Sequence, residues 1–280
     1  HGETEANANK ILQGSGIDQP LSEKGKKQAF ALKNRLKNIE FDLIITSDSK
    51  RARETAIIAT ENHNKQNLTF LEFHDLREIS WGDWDGKSES EIGIQLGNIL
   101  KRWNLGYFDE ACPNGESPFD VEVRSVNKLL DILKREEKNI LIVVHGRLLR
   151  IMLASILNQN LLTMSYFTHH NTTVNIIDCI ISKNKPFKKL NSSNISTYTE
   201  KNNISTFNKE LDNLDDNLEI SSRTSGDNNH NEVDQIDFST NCEKTKIKFE
   251  ENIEFIPIIL DDYSHLNFDP ELKPAVLMTK

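Results

Sequence analysis

The chain has 280 residues, a formal net charge of −9, 36% hydrophobic and 28% charged residues. That length can bury a substantial core, yet the composition is polar for a globule, so part of the chain is expected to lie outside the core. The acidic balance argues against a nucleic-acid partner, whose backbone is met by clustered Lys and Arg, and any anion site must therefore be a local concentration of cations. Cys112, Cys179 and Cys242 share no close spacing, which argues against a disulfide framework or a zinc site and fits a reducing, cytoplasmic compartment. No apolar run reaches transmembrane length and no signal peptide is visible, so no membrane partner is expected.

In chain order, residues 5–20 read as a loop, with Asn7, Asn9, Gly14, Gly16 and Pro20 breaking regular structure. Ser22 then N-caps a helix in which Ala29, Leu32, Leu36 and Ile39 recur at helical spacing. Residues 41–46 form a short apolar run of strand length, and residues 49–61 return to helical periodicity through Ala52, Ala56 and Ala59. Ser117-Pro118 opens another helix by cap and first-turn proline, with Val123, Val126, Leu130 and Leu133 as its predicted buried stripe. Residues 139–144 read as a strand that runs into His145-Gly146 and a helix over 148–157. A strand that leads into a chemically able residue and then a helix is the βα unit of a mostly parallel sheet, which binds ligands at the carboxyl ends of its strands. The predicted fold class is α/β, a three-layer α/β/α arrangement with a mostly parallel central sheet.

Near residue 175 the pattern changes. Residues 172–181 alternate as a strand does, and Ser182-Lys183-Asn184-Lys185-Pro186 ends it. Residues 185–252 are rich in Asn, Ser, Asp, Glu and Lys, which cannot bury enough apolar area to offset the entropy of ordering. Residues 253–260 read as a strand again, placed at a sheet edge by Pro257. The domain reading is a core over 1–184, a polar low-complexity and disordered insertion over 185–252, a returning edge strand of the core over 253–268, and a tail over 269–280. The other reading of the same residues is a disordered C-terminal extension throughout.

Four segments hold residues suited to chemistry: His1-Gly2-Glu3-Thr4, Arg51 within Ser49-Lys50-Arg51-Ala52-Arg53-Glu54-Thr55, Glu78 within Leu76-Arg77-Glu78 and the following Gly82-Asp83-Trp84-Asp85-Gly86, and His145 within Val143-Val144-His145-Gly146. Each alone has an ordinary reading, as an exposed histidine, a surface arginine, a solvated carboxylate and a core histidine. Against this, Arg51 is a cation at a helix N-terminus, the unfavourable end of the dipole, and His145 stands at a strand end directly before a glycine.

Together and in this order, these segments resemble the histidine phosphatase superfamily, which includes the cofactor-dependent phosphoglycerate mutases. The resemblance covers roughly residues 1–180, with a return near 253–266. It implies a phosphoglycerate mutase-like fold and phosphoryl transfer to a histidine, and each residue type suits that chemistry. An imidazole is nucleophilic near neutral pH, cations must neutralise and orient the phosphoryl oxygens, and a carboxylic acid must protonate the leaving oxygen. By this resemblance His1 is the phospho-acceptor, Arg51 and His145 clamp the phosphoryl group, Glu78 is the general acid and base, and Asn7, Gln13 and Gly146 contact phosphate. No cofactor and no metal are implied. The partner is a phosphorylated small molecule, and the oligomeric state is unreadable.

The family's opening motif reads Arg-His-Gly at the end of a short strand. Here the chain begins at the histidine, so the expectation is an N-terminally incomplete chain that lacks its first strand and is weakly active without that arginine. Mutases of the superfamily usually carry a long insertion between the acid and the second histidine, and the stretch between Glu78 and His145 is compact. The expected activity is therefore metal-independent phosphomonoester hydrolysis through a phosphohistidine. A phosphoglycerate mutase and a non-catalytic binding or scaffolding protein stay open as alternatives. Arg147 and Arg150 read as helix-surface residues, with Arg147 placed to brush a substrate, and His169-His170 reads as loop. Trp81, Trp84 and Trp103 read as packing, with Trp81 and Trp84 flanking the acid and shaping its pocket as the other reading. Glu116 supports the site or simply serves a helix start.

Overall fold

A computed structural model describes residues 1–61, 63, 68–181 and 253–266. The insertion expected over 185–252 and the tail over 269–280 lie outside the described residues, as does Cys242. The chain divides into two units, and every described residue falls in the one comprising His1–Lys188 and Ile247–Lys280. In order, its elements are α1 (Glu5–Ala8), α2 (Glu23–Leu36), β1 (Leu43–Ser47), α3 (Lys50–Thr60), β2 (Thr69–Phe73), α4 (Glu89–Asn104), α5 (Pro118–Leu133), β3 (Ile140–Val143), α6 (Gly146–Leu153), β4 (Val174–Ile181) and β5 (Ile253–Asp262).

The sheet is parallel with strand order β2-β1-β3. Leu43 lies beside Thr69 on one side and Ile140 on the other, so the register aligns the carboxyl ends of all three strands. Side chains alternate across a strand, and β1 uses both faces. Ile44 packs with Ala52 and Ala56 of α3, whereas Leu43 and Ile45 pack with Ile132 of α5. Helices therefore cover both faces, as the α/β reading requires. A larger cluster built on Trp81, Trp103, Phe108, Leu148 and Ile151 joins α4, α5 and α6 beyond the sheet. No helix of the described residues is long and apolar enough to cross a membrane.

The caps behave as the sequence predicts. Ser22 Oγ accepts from Gly25 N (3.0 Å), and Ser117 and Asp120 form a capping box with Pro118 at the first turn of α5. Other elements differ from expectation. Residues 5–20 are not loop throughout, because a capping box between Thr4 and Asn7 closes the single turn of α1. Strand β2 has no counterpart in the sequence reading. The predicted helix over 148–157 starts earlier, at Gly146, and passes into a π-helical turn over Ala154–Asn158. The buried stripe of α5 is Val121, Val126, Leu129 and Ile132, and Val123 is 37% exposed. Apolar spacing gives the wrong phase here because two polar residues, Glu122 and Ser125, occupy the buried face and are passed over.

Strands β4 and β5 pair antiparallel as a two-stranded sheet, with Pro257 opposite Ile177 and register shifts between Val174 and Ile177. Ile177 and Phe255 rest against the large cluster. The hydrogen-bonded neighbour of β5 is thus β4 and not a strand of the parallel sheet.

Glu122 is 2% exposed, and its Oε2 has no partner among the described residues. Burial pushes its carboxyl up to about 7, with the nearby Ser155 hydroxyl opposing. A carboxyl raised on folding favours the native state below its unfolded pKa of 4.5, and that contribution is lost as pH rises through about 7. The shift corresponds to roughly 3 kcal/mol. Glu122→Gln should therefore gain stability relative to the parent as pH rises from 5 to 8 in urea denaturation. Parallel pH profiles for the two proteins would contradict a buried, titrating Glu122.

Candidate active site

The carboxyl ends of the three parallel strands lead directly to the residues singled out by sequence. Ser47 ends β1 and is followed by Arg51 in the first turn of α3, Glu78 follows β2 after a short 3₁₀ turn, and His145 follows β3. The first four residues cross this end. The backbone nitrogen of His1 donates to Val144 O (3.1 Å), and Gly2 N donates to Thr55 Oγ1 of α3 (2.9 Å). Gln28 of α2 accepts from Glu3 N (2.8 Å), and at Gly25 the backbone of α2 meets that of Glu3 directly, since a Cβ there would sit 2.0 Å from Glu3 O. Any larger residue there would lift the His1 segment away from α2.

The His1 and His145 rings lie 5.0 Å apart, centroid to centroid. His1 Nδ1 is 2.7 Å from Gly2 O. A carbonyl can only accept, so Nδ1 carries the hydrogen and the neutral ring keeps its lone pair on Nε2. His145, 1% exposed, places Nε2 2.6 Å from Ser47 Oγ. Ser47 Oγ accepts from Ser49 N (3.4 Å), and its own buried hydrogen has no other acceptor than Nε2 among the described residues. The hydroxyl therefore donates to Nε2, and the hydrogen of the His145 ring sits on Nδ1. Burial and the nearby Arg51 guanidinium hold His145 well below its ordinary pKa, which keeps it neutral.

Arg51 is 1% exposed. Its Nη1 donates to Ile17 O (2.9 Å) and its Nη2 to Gly14 O (3.2 Å). Burial pulls its pKa down, while Glu78 pulls it up. Gln13 Oε1 accepts from Thr4 Oγ1 (2.7 Å). After these bonds are made, three buried donors have no acceptor among the described residues: Arg51 Nε, Gln13 Nε2 and, with the tautomer assigned above, His145 Nδ1. Asn7, by contrast, commits its amide oxygen to Thr4 N (3.2 Å) in the cap of α1.

Glu78 is stitched to the start of α6. Its Oε1 accepts from its neighbour Ile79 N (2.9 Å) and from Leu148 N (2.8 Å), and its Oε2 accepts from Arg147 N (2.9 Å). Counting two lone pairs per oxygen leaves one open direction, on Oε2. A carboxylate is favoured at this end of a helix dipole, and the bonds fix Glu78 at the start of the helix that His145 precedes. Behind it, Arg124 donates to the carbonyls of Asp75 (2.7 Å), Arg77 (2.9 Å) and Glu78 (3.2 Å) and pairs with both oxygens of Glu116. Glu116 Oε2 also accepts from Ser80 N (2.8 Å). Glu116 thus braces the loop that carries Glu78, while Ser117 and Asp120 cap α5.

Arg147 and Arg150 are half-buried, not the fully exposed residues that the sequence suggests. Burial lowers the Arg147 pKa to about 10, and Arg150 is shifted down for the same reason. Arg147 lies 5.9 Å from the Trp103 ring centroid, and Arg150 Nε donates to His169 Nδ1 (2.9 Å). Burial and the two arginines lower His169 to about 3, so its one hydrogen is on Nε2. Gly146, expected to touch phosphate, is where His169 closes on α6, for a Cβ there would meet Nε2 at 2.0 Å. Sequence reasoning passes over Arg124, Ser47 and Arg150, and offers Arg147 only as a residue that could brush a substrate. The signal available is two arginines three residues apart directly after His145-Gly146, which places both on one helix face.

The model of the histidine phosphatase superfamily (branch 1) matches residues 1–191, and the chain belongs to that family. It is similar to the fructose-2,6-bisphosphatase TIGAR of Xenopus tropicalis, 42% identical over 95 residues that cover 34% of this chain and 34% of that protein. The match thus spans about a third of the length of that relative. The 2,3-bisphosphoglycerate-dependent phosphoglycerate mutase of Chlamydia trachomatis is 29% identical over 178 residues, 54% of this chain and 78% of that protein. Among solved structures, YhfR of Bacillus stearothermophilus aligns with a TM-score of 0.57 at 33% identity, over 64% of this chain and 87% of that one.

If Arg124 braces the Glu78 loop, Arg124→Met should destabilise the protein by about 2 kcal/mol, since it leaves three carbonyls and a carboxylate short of a donor. Urea denaturation measures this, and a loss below about 0.5 kcal/mol, the scatter of ordinary surface substitutions, would contradict the bracing role.

Proposed function

We propose that this chain hydrolyses phosphomonoesters through a phosphohistidine formed on His1. The observation that carries the reading is the set of buried donors without acceptors among the described residues, Arg51 Nε, Gln13 Nε2 and His145 Nδ1, in a site where His1 keeps its Nε2 lone pair available. Burying such groups unpaired is costly, and a phosphoryl group supplies the missing acceptors.

In the first step His1 Nε2 attacks phosphorus. The N–P bond forms as the P–O ester bond breaks, and Glu78, entering the step protonated by the monoanionic ester at the open direction of Oε2, passes that proton to the leaving oxygen. In the second step water attacks phosphorus and gives its proton to Glu78, and the electrons of the N–P bond return to Nε2. Arg51, Gln13 and His145 hold the transferring oxygens in both steps, donating to charge that grows in the transition state. The route uses side chains alone, so activity should persist unchanged in excess chelator.

The phosphatase reading is favoured over a mutase by the stretch between Glu78 and His145, in which α4 and α5 are the only α-helices among the described residues. Rapid loss of phosphate from the phosphoenzyme to water, with no stimulation by added bisphosphoglycerate, is the expected behaviour. A phosphoenzyme that persists until it meets a second acceptor would make the protein a mutase.

For the substrate, Arg147 and Arg150 support a phosphomonoester with a second anionic group. The names of two relatives, a fructose-2,6-bisphosphatase and a bisphosphoglycerate-dependent mutase, fit that class. Arg147→Leu should raise KM for a bisphosphate at least about tenfold while leaving p-nitrophenyl phosphate nearly unaffected, as expected for the loss of a charge-assisted hydrogen bond. Equal changes for both substrates would contradict the assignment.

Glu78→Gln removes the proton. Hydrolysis of an alkyl phosphate should fall by roughly a hundredfold, and p-nitrophenyl phosphate, whose leaving group needs no proton, should fall much less. Equal losses would show that Glu78 acts through its bonds to α6 and not as an acid.

A further inference from the structure

Thr172 is a buried, β-branched residue with φ of +60°. Such a residue in the left-handed region is a true outlier and persists only where its surroundings over-determine it. Two bonds lead from this turn to the proposed nucleophile. Thr172 N donates to His1 O (3.0 Å), and Asn171 Nδ2 donates to the same carbonyl (3.3 Å). The loop thus grips the backbone of His1 through its carbonyl, while Val144 holds it through its nitrogen.

The groups that hold the turn come from the other end of the chain. The Thr172 hydroxyl donates to Asn171 O (2.7 Å) and lies 3.1 Å from His265 Nε2. Its one hydrogen is used on Asn171, so His265 Nε2 is the donor. Burial lowers His265 to about 4, which leaves a neutral ring with its hydrogen on Nε2. Elsewhere on the loop Asp261, itself at φ +53°, accepts from Thr168 Oγ1 (2.5 Å), Thr173 Oγ1 (3.2 Å) and His170 Nδ1 (3.4 Å). Tyr263 packs its ring 4.3 Å from that of His170. None of these bonds involves Arg51, Glu78 or His145.

We propose that His265 and Asp261 are positioning residues, and that they hold the 168–173 loop in a strained turn which fixes His1 for attack on phosphorus. The inference rests on His1 being the phospho-acceptor. It makes the segment after residue 252 a working part of the active site, although it touches no reacting atom.

The test uses the full chain with p-nitrophenyl phosphate, read beside the NMR resonance of the His1 ring Cε1–H, which reports the nucleophile's surroundings without turnover. His265→Leu should lower kcat about tenfold at unchanged KM, the scale expected of a nucleophile displaced by a fraction of an ångström, and should move the His1 resonance. His265→Gln, whose amide nitrogen stands where Nε2 was, should recover most of both.

Glycine adopts the left-handed turn freely and keeps the N–H to His1 O. Adding His265→Leu to Thr172→Gly should therefore change kcat less than about twofold, a coupling that a merely structural histidine would not show. An unmoved His1 resonance, or equal losses from His265→Leu in both backgrounds, overturns the clamp. If His265→Leu alone does not fold, the Gln variant and the double variant decide the question by the same two readouts. A resonance that moves and recovers in a protein unable to hydrolyse any phosphate ester keeps the clamp and removes the hydrolase reading.

Discussion

Hydrogen-bond donors buried without acceptors are the constraint around which this protein is arranged. A buried polar group left unpaired costs about 1–3 kcal/mol, and three in the site have no acceptor among the described residues: Arg51 Nε, Gln13 Nε2 and His145 Nδ1. Much of the neighbouring structure serves to keep them so. The carbonyls of Gly14 and Ile17 fix the terminal nitrogens of Arg51 but not Nε. Thr4 takes the oxygen of Gln13 and leaves its nitrogen, and Ser47 occupies Nε2 of His145 and leaves Nδ1.

Charge follows the same logic. The chain carries a net −9, a field that would hinder an anionic substrate at long range, yet Debye screening at physiological salt confines such repulsion to about 8 Å. At the site itself stand Arg51, with Arg147 and Arg150 on the first turns of α6, all shifted downward by burial. Glu78 is the counterweight. Bound to the first amides of α6, it lies close enough to raise both Arg51 and Arg147. One carboxyl group thus interacts with the cations, caps the helix that follows His145 and keeps one direction of Oε2 open.

The parts legible in the sequence are those whose signals are local. The β1–α3 and β3–α6 units show themselves because a short apolar run precedes Arg51 and His145 and helical spacing follows, and the Ser22 and Ser117 caps are side chains next to the helices they start. What escapes depends on contacts distant in sequence. Arg124 looks like any charged residue on α5 until the carbonyls of residues 75–78 are brought to it. Glu122 and Ser125 hide the phase of α5 because buried polar residues defeat a search for apolar ones. Strand β2 is half-buried and five residues long, with charged Glu72 in it, and offers little period to read. The grip of Thr172 on His1 joins opposite ends of the folded core, and no spacing rule anticipates a left-handed threonine.

The central claim is that phosphorus is carried on one nitrogen of His1. Rapid quench of the protein with a ³²P-labelled phosphomonoester, followed by alkaline digestion and peptide mapping, measures this directly. The account predicts acid-labile, alkali-stable label on His1, attached through Nε2, that forms and decays at rates consistent with turnover. Turnover with no labelled histidine, or label on His145 or a carboxylate in place of His1, would contradict it.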